Sequence, residues 1–221
     1  MPTSPLASHV VFHLGPIAVT RPVVTSWTII ILLALAARLL TRRLALHPDR
    51  GQAVVELIVT GIADEIEAVI RRNPRPFLPL LGTLFIFLVA ANLSGVLPGV
   101  AAPTASIETP AALALIVFAA VHYFGVRAQG PFGYLASFAQ PKLIMLPLNI
   151  VSGVTRTFSL MVRLFGNVMS GEFMLALVVA FAGLVVPIPL MALEILIGLV
   201  QAYIFAVLAT LFIGAAVGGR E

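Results

Sequence analysis

Four ionisable residues, Arg156, Arg163, Glu172 and Glu194, stand in an otherwise uncharged apolar stretch between Lys142 and Arg220. At the centre of a bilayer a charge facing lipid costs roughly 2.5–3.5 kcal/mol, so each is expected to face protein or water and to mark an ion path. Arg163 is the most telling. Its guanidinium keeps its proton at any accessible pH, whereas a carboxyl can escape desolvation by becoming neutral. A fixed positive charge stabilises the ionised form of a carboxylate brought within about 4–6 Å, so a proton or cation held by that carboxylate is released there.

The spacing sorts these residues onto faces. Asn149, Arg156 and Arg163 recur every seven residues, which puts them on one helix stripe, and Asn167 extends it by a turn. Ser152, Ser159 and Gly166 form a neighbouring line of small residues of the kind that lets another helix approach closely. Glu172 lies nine residues beyond Arg163. At about 100° per residue that is half a turn round the helix, so it leaves the arginine face. Glu194 and Gln201 are seven apart and share a face of the final segment. No HExxH-type spacing links His9, His13, His47 and His122, and no metal site is expected.

The elements that must position these residues are membrane helices. The 221-residue chain is 60% hydrophobic and 10% charged, with a mean hydropathy of +1.10. The pI near 10.3 does not point to nucleic acid, because the basic residues flank hydrophobic segments where orientation signals belong. Zero cysteines exclude disulfides and thiolate metal sites. The pattern reads as an all-α membrane protein, a single domain over 1–221 with five crossings. Residues 1–22 form an outer segment, 23–40, 77–97 and 111–126 are spans, and 143–184 and 186–218 are long, strongly tilted helices. Residues 52–72, with isoleucines at helical spacing and acids between them, predict an amphipathic helix at the membrane surface. Gln129 to Pro141 reads as a Gly/Pro-rich loop. Arg38 at the end of the first span and Arg42, Arg43 and Arg50 just after it place the N-terminus outside and the first loop and C-terminus in the cytoplasm. Basic residues follow that apolar core rather than precede it, so it is read as mature chain and not as a cleaved leader.

Arg163-Leu164-Phe165-Gly166-Asn167, then Ser170-Gly171-Glu172, then Gln201-Ala202-Tyr203-Ile204-Phe205 resemble subunit a of F-type ATP synthases. The likeness extends upstream through Leu84-Phe85-Ile86-Phe87 and Asn92-Leu93-Ser94-Gly95-Val96-Leu97-Pro98-Gly99, covering roughly residues 50 to 215. The resemblance implies a stator subunit of a rotary complex in the bacterial inner membrane. Its partners would be a ring of c subunits, b-type peripheral stalk subunits and the rest of the synthase. It implies that Arg163 faces the ring carboxylates and that two half-channels lie along the tilted helices. Glu172 and Glu194 would be their carboxylates, Gln201 would pack near the arginine, Arg156 would stand where a lysine or arginine is common, and Asn167 would belong to the arginine motif. Two positions depart from the pattern: Asn149 where a glutamate is frequent, and Ser106-Ile107-Glu108 in the second outer loop. Asn149 cannot relay a proton by ionising but can coordinate a cation, which suits a divergent, sodium-type branch. The translocated ion is H⁺ or Na⁺, and no cofactor is expected.

The chain contains no G-x-x-x-x-G-K-[ST] phosphate loop, so nucleotide chemistry belongs elsewhere in such a complex. Two rival readings use the same charges. A self-contained secondary transporter or channel would call for inverted repeats and broken helices, which the sequence does not display. An intramembrane hydrolase would need Glu172, Glu194 and His122 as metal ligands, and their spacing follows no ligand logic.

Overall fold

The computed structural model describes residues 10–14, 17–42, 50–97, 100, 102–138, 145–183 and 187–218. Helices make up almost all of it: α1 Arg21–Leu40, α2 Arg50–Ile70, α3 Leu78–Ser94, α4 Glu108–Gln129, α5 Pro131–Phe138, α6 Met145–Ala182 and α7 Pro187–Val217. Helices α1, α4, α6 and α7 are long and apolar enough to cross a membrane, and α3 is a shorter apolar helix. The protein is an integral membrane protein of the all-α class. Arg43, which entered the reading of orientation, and Lys142 and Arg220, which bound the uncharged stretch, lie outside the described residues.

A short hairpin precedes α1 and was not foreseen. Strands β1 Val10–Leu14 and β2 Ile17–Thr20 pair antiparallel, with Val10 opposite Thr20 and Leu14 opposite Ile17. Thr20, at φ −90° and ψ 160°, begins α1 without capping it through its side chain. Its hydroxyl donates instead to Glu108 Oε2 at 2.9 Å, tying the start of α1 to the start of α4.

Proline and glycine punctuate the chain. Pro110 lies in the first turn of α4, where a missing N–H is tolerated, so α4 starts three residues before the expected Ala111. Gly130, at φ 75°, ends α4 and accepts from the Tyr134 N–H at 2.9 Å, opening α5 inside the stretch expected to be a loop. Gly183, at φ 76°, follows α6. Both glycines take the left-handed backbone that L side chains avoid. Within the apolar helices, Thr83, Thr155, Thr157 and Thr210 donate their hydroxyls to carbonyls one turn back. These four hydroxyl hydrogens are then not left facing hydrocarbon.

Helix α7 is the centre of the bundle, packed by α2, α3, α4 and α6. Its Ala202, Phe205, Ala209 and Ile213 are fully buried against Leu81, Leu84 and Leu88 of α3 and Leu113, Ala114 and Val117 of α4. Helix α2 adds Ile66 to this core, with Ile62 and Ile70 partly buried beside it, while Val54, Leu57 and Ile58 remain exposed. All six belong to the apolar face read from the sequence, so this subunit buries only the C-terminal half of that face. Helix α6 differs from the others. Leu160 and Leu164 are its buried residues, and its most apolar window is only 6% buried. Its 38 residues span about 57 Å at 1.5 Å per residue, nearly twice a hydrocarbon core of about 30 Å. It must therefore tilt or protrude.

Helix α5 docks through Tyr134, which is 7% exposed and lies against Gly125 of α4. Burial pushes the Tyr134 phenol above its ordinary value. A methyl at Gly125 would overlap that ring, so Gly125→Ala is expected to cost about 1–3 kcal/mol. The cost is read as an earlier denaturation midpoint of the detergent-solubilised protein. Gly61→Ala, whose methyl meets open space, should not lower the midpoint.

Candidate ion-path site

The arginine stripe lines an open groove. Asn149, Ser152, Arg156, Ser159 and Arg163 of α6 face Leu208 and Phe212 of α7 around about 570 Å³. Both guanidinium-bearing residues are exposed. Among the described residues neither arginine has a carboxylate within 4.0 Å. Arg156 rests on Phe212, its guanidinium carbon 5.6 Å from the ring centroid, a cation–π contact that partly replaces lost hydration. Among the described residues Arg163 has no such cover.

A second, much smaller pocket of about 50 Å³ lies further along, where α6 and α7 meet α3. Asn167, Gly171 and Glu172 of α6, Glu194, Gly198 and Gln201 of α7, and Asn92 of α3 line it. Glu172, predicted to leave the arginine face, thus shares one pocket with Glu194 of α7, Glu172 exposed and Glu194 half-buried. Asn167 divides from the stripe it was expected to extend. Its Nδ2 donates to Gln201 Oε1 at 2.7 Å, which draws it toward α7 and away from the groove. Gln201 is 3% exposed, and its Nε2 is buried with no hydrogen-bond partner among the described residues. Turning both amides puts Gln201 Oε1 in that position instead, so one buried polar atom of Gln201 is left without a partner among the described residues either way. The pocket exceeds the roughly 10–15 Å³ a water needs.

Side chains to which the sequence reading gave no role hold this pocket open. Asn92 donates to Gly198 O at 2.8 Å and accepts from the fully buried Thr104 at 2.9 Å, joining α3, α7 and the turn Pro103–Ala105. Glu172 Oε1 accepts from the Ala102 N–H at 3.3 Å. The available signal was a lone asparagine inside the otherwise apolar α3.

A third space, about 410 Å³, lies between α4, α5, α6 and α7, lined among others by His122, Gln129, Asn149, Arg156 and Thr157. Two of its amides are committed: Asn149 Nδ2 to Phe138 O and Gln129 Nε2 to Ala216 O, each at 2.8 Å. His122 sits in an aromatic cluster, with Phe118 at 4.2 Å and Tyr134 at 5.8 Å between ring centroids, and Nδ1 2.8 Å from Phe118 O. Among the described residues no three His, Cys, Asp or Glu gather as metal ligands would.

Fold and site together define an integral membrane helix bundle with charged and polar side chains gathered on its two longest helices. The family described as ATP synthase A chain matches residues 23–214. ATP synthase subunit a 2 of Bradyrhizobium sp. is 74% identical over 218 residues, covering 99% of this chain and 98% of the relative. ATP synthase subunit a 1 of Hahella chejuensis is 46% identical, covering 96% and 90%. ATP synthase subunit a of Albidiferax ferrireducens is 44% identical, covering 94% and 90%. The chain therefore belongs to the ATP synthase A chain family, subunit a of F-type ATP synthases, and the rest of that complex is its partner.

The Asn167–Gln201 bond joins the two longest helices beside the pocket. A double-mutant cycle with Asn167→Ala and Gln201→Ala, read in the detergent stability of the subunit, should return a coupling of about 0.5–1.5 kcal/mol. Additive single effects would mean that the bond does not hold the helices together.

Proposed function

We propose that this chain is the stator subunit that couples passage of H⁺ or Na⁺ to rotation of a c ring, with Arg163 as the fixed charge of the exchange. The observation that carries the reading is Arg163 itself, a permanent cation roughly midway along α6, open to a groove and without a carboxylate partner among the described residues. Such a charge in a membrane calls for water or an anionic partner. A ring carboxylate supplies the second.

A ring carboxylate crosses lipid only when neutralised by its ion, because the ionised form bears the desolvation cost. Beside Arg163 the ionised form is favoured, so the bound ion leaves by one aqueous route and another loads from a second after the ring advances. The pocket of Asn92, Asn167, Glu172, Glu194 and Gln201 serves one route, where carboxylates and amides replace hydration. The groove and chamber around Asn149, Ser152 and Arg156 serve the other. The arginine repels cations and so prevents direct leakage between routes. Each transferred charge, worth about 2.3 kcal/mol per 100 mV, is thereby tied to a ring step. The complex sits in the bacterial inner membrane, with the arginine-rich first loop and the C-terminus cytoplasmic, the N-terminus outside and b-type stalk subunits alongside.

Arg163→Ala should abolish ion-driven ATP synthesis in membranes while the complex still co-purifies intact; synthesis at the wild-type rate would refute the reading. In energised vesicles, Glu172→Gln and Glu194→Gln should each slow transport, and the double variant more. Unaltered transport in the double variant would remove the pocket from the path.

A further inference from the structure

The chamber between α4, α5, α6 and α7 adjoins the arginine groove, since Asn149, Arg156 and Phe212 line both. Among the described residues that line it, three are titratable: His122 of α4, Tyr134 of α5 and Arg156 of α6. Helix α7 contributes only Phe212, Ala215 and Ala216. Arg156 cannot give up its proton, and the Tyr134 phenol, held above its ordinary value by burial, keeps its own. Asn149 does not ionise at all. That leaves His122, and imidazole is the side chain that takes and returns a proton near neutral pH.

The His122 ring is held in one orientation. Phe118, Tyr134 and Phe138 surround it, with ring centroids at 4.2, 5.8 and 6.3 Å, and its Nδ1 stands 2.8 Å from Phe118 O. A carbonyl oxygen only accepts, so Nδ1 carries the hydrogen and donates it. The lone pair of the neutral ring is therefore on Nε2, which has no hydrogen-bond partner among the described residues.

We propose that His122 is the proton relay of the route through this chamber. Nε2 takes a proton from water there, forming an imidazolium still bonded to Phe118 O, and returns the same proton to water on the other side. No other bond is made or broken. The inference rests on the reading that the chamber serves the second ion route, and it makes the proton the ion that uses that route. Sodium, a hard cation, takes oxygen ligands and gains nothing from an imidazole nitrogen.

The assay is ATP-driven ion uptake by inverted vesicles carrying the whole synthase, read for protons with a pH-sensitive dye and for sodium with radioactive Na⁺. Assembly is checked by co-purification of the other subunits. His122→Asn keeps an N–H where Nδ1 stood and removes the basic nitrogen. It should lower proton uptake about tenfold, less than the roughly hundredfold that a positioned proton-transfer group can supply, because water carries part of the traffic. His122→Phe keeps a ring among the aromatic neighbours and should have the same effect. Asn149→Glu adds a carboxyl to the same chamber and should restore most of the uptake lost in His122→Asn, which a purely structural role for the histidine would not allow.

Normal proton uptake in either His122 variant overturns the relay, as does the absence of any gain from Asn149→Glu, or sodium uptake in place of proton uptake by the unaltered synthase. If one His122 variant fails to assemble, the other is read alone; loss of assembly in both makes His122 a packing residue and overturns the relay too. Failure of the parent reading looks different. Gly153 lines the chamber and a methyl there meets nothing within 4 Å, so Gly153→Leu projects into the open space. Normal uptake in Gly153→Leu would remove the chamber from the ion path and this inference with it. Lowered uptake in Gly153→Leu beside normal uptake in the His122 variants would keep the route and strike the relay alone.

Discussion

A guanidinium that cannot lose its proton, fixed midway along a helix of about 57 Å, is the constraint around which the structure is organised. Hydrocarbon will not accept it, so the face of α6 that carries Arg156 and Arg163 must remain open to water or to an anionic partner. The rest of the packing is consistent with that demand. Helix α7 lies at the centre of the bundle and is buried by α2, α3 and α4, whereas α6 contributes only Leu160 and Leu164 to the fully buried core. A helix held so lightly by its own subunit presents most of its surface outward, and in the proposed function the ring occupies that surface.

Lipid tails are as apolar as leucine, so hydrophobic burial alone does not set which faces of membrane helices meet. Here the register is set by a few polar bonds and close approaches: Asn167 to Gln201, Asn92 between Thr104 and Gly198, and Gln129 to Ala216 O. Each contributes on the order of 1 kcal/mol, and each specifies a contact that a leucine pair would not. The first two also line the small pocket, so the bonds that hold α3, α6 and α7 together shape the proposed path. In the proposed function, stability and transport are therefore linked at Asn92 and Gln201.

Much of this was legible in the sequence, for identifiable reasons. Intramembrane charge is rare enough that Arg163, Glu172 and Glu194 announced themselves, and the seven-residue spacing placed Asn149, Arg156 and Arg163 in one groove and Glu194 and Gln201 on one pocket. What stayed hidden depends on contacts between segments. Periodicity put Asn167 on the arginine stripe, but it cannot say that Gln201 from another helix will claim its amide. Gly171 and Gly198 look like ordinary packing glycines until Glu194 and Asn92 are seen beside them. Helix α5 was obscured by Gly130 and Pro131, which suggest a loop but here end one helix and begin another. Pro110 likewise looked like a boundary and proved to be first-turn proline. The hairpin Val10 to Thr20 is too short for its alternation to stand out.

The central claim of the proposed function is that the Arg163 groove faces a carboxylate-bearing ring. The chain has no native cysteine, so the most direct measurement is disulfide crosslinking in membranes between single cysteines here and one beside the ring carboxylate. Ser159→Cys lies in the groove one turn before Arg163, and Leu35→Cys lies on the exposed face of α1. The account predicts that Ser159→Cys crosslinks to the ring and Leu35→Cys does not. Crosslinking from Leu35→Cys that equals or exceeds that from Ser159→Cys would contradict it.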